Sequence, residues 1–380
     1  MRARLEQDYE RFRRELPRDF PEYVRETYRI ALTARYLGVT LPHPIGKGAG
    51  QLSLDEHQLA EDARAGLAFT VLKTVIAEDR AGSQTMAAWA SPETRMRVER
   101  RQAADGRSGW TVSWKGRGWH RSLAAYLALV RAGRDLTRAG RLLVVPSVKY
   151  HLPRLAEAFR EEEYRHTTDQ LAAAWRDPPL LLEKDFSPTL AADPLAADQE
   201  QILRWVREVP GRIRAAAPCA TRLAVKLMNA RFDDAFQIAM TAACRDADAL
   251  VCFNRLFDAA RGVAYGGWDL SERNLRVLDG LPTPPRGLCG TGHVGSGRMI
   301  LAYARRGCES VQLHTFFQLP LSEYPATHGS RPQRALHALV FHPRDGLVAG
   351  MLDLEADGTL ERRDGELHFL DLTTGAHQPR

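Results

Sequence analysis

The chain is poor in lysine. Of its 53 basic residues six are lysines, at positions 47, 73, 115, 149, 184 and 226, which leaves 47 arginines. Cysteine is scarce too: Cys219, Cys244, Cys252, Cys289 and Cys308 fall in no CxxC or CxxH spacing. That excludes a zinc knuckle, an iron–sulfur motif and a secreted disulfide framework, and fits a reducing cytoplasm. Long apolar runs are missing, all stopping short of the ~18 residues a membrane-spanning helix needs. The charged start, Met1 to Arg29, does not read as a signal peptide. No basic run is interleaved with aromatics, so the net charge of +6 reads as a solvated, arginine-rich surface and not as a nucleic-acid footprint.

What is present is enough for a large core. With 380 residues, 44% hydrophobic and 26% charged, the chain suits one α/β barrel with additions or two ordinary domains. From residue 40 onward, short Val- and Leu-rich runs alternate with helix-like stretches. The expected strands are Thr40–Lys47, Ala68–Thr74, Leu142–Lys149, Leu180–Ser187, Arg222–Met228, Ala249–Asn254, Gly287–Gly292 and Ser310–Thr315. Continuous apolar strands of this kind are covered on both faces, as in parallel sheets. Eight of them with helices between predict an α/β fold, a (β/α)8 TIM barrel over residues 40–330.

Three parts stand outside that repeat. Residues 1–39 read as an N-terminal helical extension broken near Pro17 and Pro21. A long insertion, about 77–139, follows the second strand and holds Trp89, Trp110, Trp114 and Trp119. Residues 331–380 read as a C-terminal helix/β appendage, with turn signals at Arg344-Asp345-Gly346, Asp357-Gly358 and Asp364-Gly365 that favour short strands.

The few lysines fall in a pattern. Lys47, Lys73, Lys149, Lys184 and Lys226 each lie on an expected strand or at its carboxyl end, the face where barrels carry their active sites. As compact cations of tunable pKa they suit a phosphate, a flavin ring edge or an oxyanion. The plainer alternative is a buried Lys–Glu pair, with Glu183 as partner. After the seventh strand comes Gly290-Thr291-Gly292-His293-Val294-Gly295-Ser296-Gly297, opening a helix at Arg298 that Ser296 caps. Backbone amides there can approach a phosphate closely, though a tight turn explains glycines as well.

Taken in order over residues 40 to about 320, these motifs resemble the dihydroorotate dehydrogenase family of FMN-dependent barrels. Pro44-Ile45-Gly46-Lys47-Gly48-Ala49-Gly50 is similar to the family's first-strand "NPxGxAAG", and the resemblance puts Ala49 and Gly50 under the flavin. It also implies that Thr74 contacts the ring, that Lys226 of Val225-Lys226-Leu227 approaches its N1/O2 edge, and that Asn254 ends the sixth strand beside flavin and substrate. Gly266-Gly267 resembles a glycine pair that follows. Gly290, Gly292, His293, Gly295 and Ser296, then His314 and Thr315 of Val311-Gln312-Leu313-His314-Thr315, resemble the FMN phosphate site.

The substrate half departs from the family. Where its fourth strand ends "NxSxPN", this chain reads Lys184-Asp185-Phe186-Ser187-Pro188-Thr189, which keeps Ser187 as the implied general base but replaces the pyrimidine-reading asparagines. The resemblance thus implies an FMN oxidoreductase moving a hydride between flavin and a C–C bond of a small anionic substrate. Ser187 and Lys184 are its catalytic residues, Lys47, Lys149 and Asn254 bind the substrate, and no metal is involved. The electron partner, among quinone, fumarate, NAD(P) and oxygen, is not visible, and a homodimer is compatible with the reading. Three rivals stand beside it: a genuine dihydroorotate dehydrogenase of pyrimidine biosynthesis, a flavin-free phosphate-binding isomerase or lyase, and a non-catalytic flavoprotein subunit.

Overall fold

Short Val/Leu runs bounded by Pro, Gly and polar residues become eight parallel strands. The computed structural model describes residues 1–90, 95–102, 108–115, 118–186, 198–258, 263–266, 268–282 and 287–374. The strands are β1 (Ile45–Lys47), β2 (Phe69–Val71, resuming as Val75–Ile76), β3 (Leu143–Val145, resuming as Ser147–Lys149), β4 (Leu180–Asp185), β5 (Thr221–Lys226), β6 (Ala249–Cys252), β7 (Leu288–Thr291) and β8 (Cys308–Leu313). Each pairs in parallel with the next, and β8 returns to β1 through Val311↔Ile45 and Leu313↔Lys47, closing the ring. The gap in β3 falls at Pro146, which has no N–H to give to the ladder.

One expected strand divides. Pro42 and Pro44 break the run Thr40–Lys47, so its first part joins a hairpin, Ala34–Tyr36 against Val39–Leu41, and its last three residues make β1. The hairpin turns on Leu37 (φ 52°) and Gly38 (φ 70°), two left-handed residues in succession as a tight two-residue turn requires. It plugs the amino-terminal end of the barrel: Arg222 at the start of β5 donates to Leu37 O (3.1 Å), and the Tyr36 ring stacks on Phe69 at 4.5 Å.

The helices are α1 (Arg2–Phe12), α2 (Phe20–Tyr28), α3 (Glu56–Ala65), α4 (Leu123–Arg138), α5 (Glu161–Trp175), α6 (Gln199–Ala216), α7 (Asp234–Ala243), α8 (Trp268–Asp279), α9 (Gly297–Ala304), α10 (Arg331–Phe341) and α11 (Leu347–Ala356). Side-chain caps start many of them: Asp19, Asp55, Ser122, Asp198, Asp233, Ser296 and Ser330 each accept from a backbone N–H of the first turn. Helix α4, the crossover between β2 and β3, occupies the last part of the segment expected as insertion. The remainder contributes the hairpin Arg95–Gln102/Ser108–Lys115, which pairs through its second strand with Val263–Gly266 from the β6 excursion, itself paired with Leu256–Asp258. Both excursions leave carboxyl ends of barrel strands.

The carboxyl-terminal segment is mainly helical. Helix α10 packs against α3, α9 and α1, and the turn signals separate α10 from α11 and lead to a two-residue strand, Leu367–His368. That strand pairs with Ile30–Ala31 and ties the two ends of the chain together.

Candidate functional site

Strand β4 carries Glu183, Lys184 and Asp185 in succession, all buried. Residues two apart share a strand face, and Glu183 and Asp185 both reach partners on other strands of the barrel at two different heights. Glu183 lies deep: its Oε2 accepts from Tyr36 Oη (2.8 Å) and Gln312 Nε2 (2.6 Å). Asp185 lies at the mouth, where it accepts from Lys149 Nζ (2.8 Å), Asn254 Nδ2 (3.0 Å) and Thr74 Oγ1 (3.3 Å). Burial alone raises the Asp185 carboxyl, but Lys149, Lys226 and Lys184 outweigh it and hold the group at about 2.

Around this carboxylate stand more cations than it can balance. Lys73, at the break in β2, is brought down to about 7 by burial and then by Lys149 and Arg255. Lys184 is likewise held at about 7 by burial and Lys149; its ammonium donates to Asp185 O (3.1 Å) and lies 4.5 Å from the Phe186 ring centroid. Lys226 Nζ donates to Gln312 Oε1 (3.1 Å). Lys47 is not brought to this mouth: it pairs with Asp62 of α3 and donates to Leu52 O (3.3 Å). Of Lys47, Lys149 and Lys184, expected together on one rim, Lys149 reaches Asp185, whereas Lys184 is in register with Val148 on the other face of β4.

Beside Lys226 opens a narrow cleft. Ala49, Lys226, Asn254, Gly292, His293, His314 and Thr315, all singled out by the sequence, line it together. Gly48 makes room: a Cβ there would stand 3.3 Å from Lys226 Nζ and 3.2 Å from Gln312 Oε1. Gly50 admits the His314 imidazole, whose Nε2 would lie 1.8 Å from an added Cβ. That ring is kept neutral by burial and by Arg255, Lys73 and Lys226, which push its pKa well below the usual histidine range. Gly292 (φ 97°) and His293 (φ 50°) turn the chain into Ser296, whose hydroxyl caps α9 at Met299 N (3.1 Å).

Other expected residues serve elsewhere. Gly290 lies within β7, and a Cβ on it would strike the Tyr303 ring at 2.6 Å, so it is a packing glycine. A Cβ on Gly295 would meet His293 Nε2 at an ordinary 3.8 Å, and Gly266 pairs with Val112 in the outer sheet. Thr74 Oγ1 lies 3.0 Å from Ser147 Oγ as well as reaching Asp185. Trp119 is buried, its Nε1 donating to Ser122 O (3.1 Å). Ser187, Gly267 and the side chain of Trp114 lie outside the described residues.

Sequence reasoning passed over Arg255 and undervalued Gln312 and Asp185. Arg255 follows Asn254, lines the cleft, and its charge acts on Lys73 and His314. In a chain with 47 arginines, one more carries no signal. Among the described residues no cluster of three or more His, Cys, Asp or Glu could hold a metal ion, and no helix is long and apolar enough to cross a membrane.

No protein-family profile matches the chain, and no curated protein matches it. Among solved structures it is similar to DHODH, dihydroorotate dehydrogenase, from Eimeria tenella in complex with ferulenol. The TM-score is 0.64 at 13% identity, over 96% of this chain and 91% of that one. Similarity at that identity is similarity of fold: the chain has a dihydroorotate dehydrogenase-like (β/α)8 architecture.

Proposed function

We propose that this barrel is an FMN-dependent oxidoreductase acting on a CH–CH bond of a small anionic substrate. One observation carries the reading: Lys226, fixed by Gln312 beneath the bare Gly48, faces a cleft walled by small residues. The residues present fit FMN. Ala49 and Gly48 leave room for a flat ring, Lys226 offers a cation to its pyrimidine edge, and the Gly292–Val294 backbone, His314 and Thr315 stand where a phosphate would be held. Bound there, FMN supplies the atom that accepts or returns the hydride.

This chain's own residues do the rest. Lys73, Lys149 and Arg255 draw the anionic substrate to the mouth, where their positive charges act on one another beside the cleft. Asn254 donates one amide N–H to Asp185 and accepts from Arg255 N (3.0 Å), so it orders the mouth and keeps a second N–H for the substrate. In this reading Ser187 exchanges the proton that accompanies the hydride. A serine hydroxyl needs a partner for that work, and the Lys184 amine, at about 7, is suited to it.

The purified protein is expected to be yellow or to take up FMN on incubation, and Lys226→Ala to weaken retention at least tenfold. A colourless wild type that cannot be reconstituted overturns the proposal. Anaerobic bleaching with candidate anionic acids, dihydroorotate first among them, then identifies the substrate, and reoxidation by quinone, fumarate, NAD(P) or oxygen identifies the electron partner.

A further inference from the structure

A buried file of hydrogen bonds joins the barrel floor to Lys226. Tyr36 Oη donates to Glu183 Oε2 (2.8 Å); Gln312 Nε2 donates to that oxygen (2.6 Å) and to Tyr36 Oη (3.0 Å); Gln312 Oε1 accepts from Lys226 Nζ (3.1 Å). All four residues are buried. An ammonium has only donors, so Gln312 must turn its oxygen to Lys226 and its NH2 to Glu183. Glu183 then faces donors alone on Oε2, and its other oxygen is buried without a partner among the described residues. The file is polarised, with a cation at the cleft and a carboxylate at the floor.

Nothing in packing requires a carboxylate there. An apolar side chain among Tyr36, Phe69 and the β4 core would avoid the desolvation that burial of an acid costs. Glu183 is too deep to touch a ligand in the cleft and reaches it only through Gln312 and Lys226. We infer that Glu183 is a positioning residue that sets, through Gln312, the place and the electrostatic strength of Lys226, with Tyr36 of the amino-terminal hairpin favouring the charged carboxylate. The inference rests on the FMN reading. It assigns the hairpin plug a role in tuning the cofactor as well as in closing the barrel.

The test reads the flavin and not turnover. In FMN-loaded Glu183→Gln and Glu183→Leu the negative charge is gone, so the midpoint potential moves positive. Affinity for sulfite, which adds to oxidised flavin and reports positive charge near the ring, rises about tenfold, as for a unit charge acting at an effective dielectric of about 20. Tyr36→Phe removes a donor that favours the charged carboxylate, drives buried Glu183 toward its neutral form and moves both readings the same way by a smaller amount. If the neutral Glu183 variants do not fold, the Tyr36→Phe shift decides alone. Wild-type potential and sulfite affinity in folded variants, or a shift of the opposite sign, overturn the inference while leaving the FMN reading intact. A wild type that refuses FMN sinks both.

Discussion

Five lysines that look alike in the sequence end in four different settings. Lys47 is neutralised by Asp62, Lys149 by Asp185, and Lys226 is held by an amide, whereas Lys73 and Lys184 are buried among other cations. For Lys184 the folded state disfavours the ammonium, so between about 7 and 10.5 the unfolded chain binds more protons and the group's contribution to stability rises with pH. Lys184→Met removes a buried charge near Lys149. It is expected to stabilise the protein by roughly 1–3 kcal/mol at pH 7, with the gain shrinking as pH approaches 10.5, while lowering turnover. Denaturant titrations at pH 7 and 10 measure this; a loss of stability at pH 7 would show that the ammonium is better compensated than its contacts indicate.

At the scale of elements, the wall of the cleft that leads into α9 depends on how closely α9 approaches α11. A Cβ on Gly297 would lie 2.0 Å from Leu347 N and 2.5 Å from Leu339 O, both backbone atoms that cannot step aside alone. Gly297→Ala is therefore expected to cost about 3 kcal/mol and to displace the start of α9, weakening FMN retention along with stability. Urea unfolding of the apo protein and flavin content of the purified variant test the two halves separately. Asn274 of α8 shows a second link of this kind. Its Nδ2 donates to Thr291 O (2.8 Å) and Tyr303 Oη (3.1 Å), and so ties a crossover helix to the end of β7.

For the whole molecule, the amino-terminal helices are part of the core. Leu5, Phe12, Phe20 and Val24 are buried; Phe12 meets Phe341 at 4.9 Å between ring centroids, and Phe20 packs on His43 beneath β1. Asp8 inside α1 accepts from both Tyr23 and Tyr28 at 2.7 Å, locking α1 to α2. At about 1.5–3 kcal/mol for each large apolar side chain, removal of residues 1–28 is expected to lower the melting temperature by at least about 5 °C and to promote association through uncovered α10. Unchanged melting and a monodisperse elution profile would contradict that. The surplus of arginine needs no ligand: Arg2 and Arg298 meet Asp353, Arg138 meets Asp177, and Arg212 meets Glu161 and Glu208 at the surface, where such pairs add little.

The sequence by itself determined the barrel and much of the lining of one cleft. Parallel strands buried on both faces write themselves as continuous apolar runs, and a glycine-rich turn before a capped helix is a local feature, so Ala49, Lys226, Asn254, His293, His314 and Thr315 could be singled out and do share one cleft. Local pattern also hid things. The prolines at 42 and 44 divided one apolar run between a hairpin and a strand, and α4 was lost inside a long polar segment. Which charges meet was decided only by the tertiary structure. Whether a lysine faces Asp62, Asp185, Gln312 or other lysines depends on strand register and ring closure between residues as much as 276 positions apart, as Gln312 and Tyr36 are. No spacing along the chain encodes that distance, and it is there that the charged mouth and the file beneath Lys226 are made.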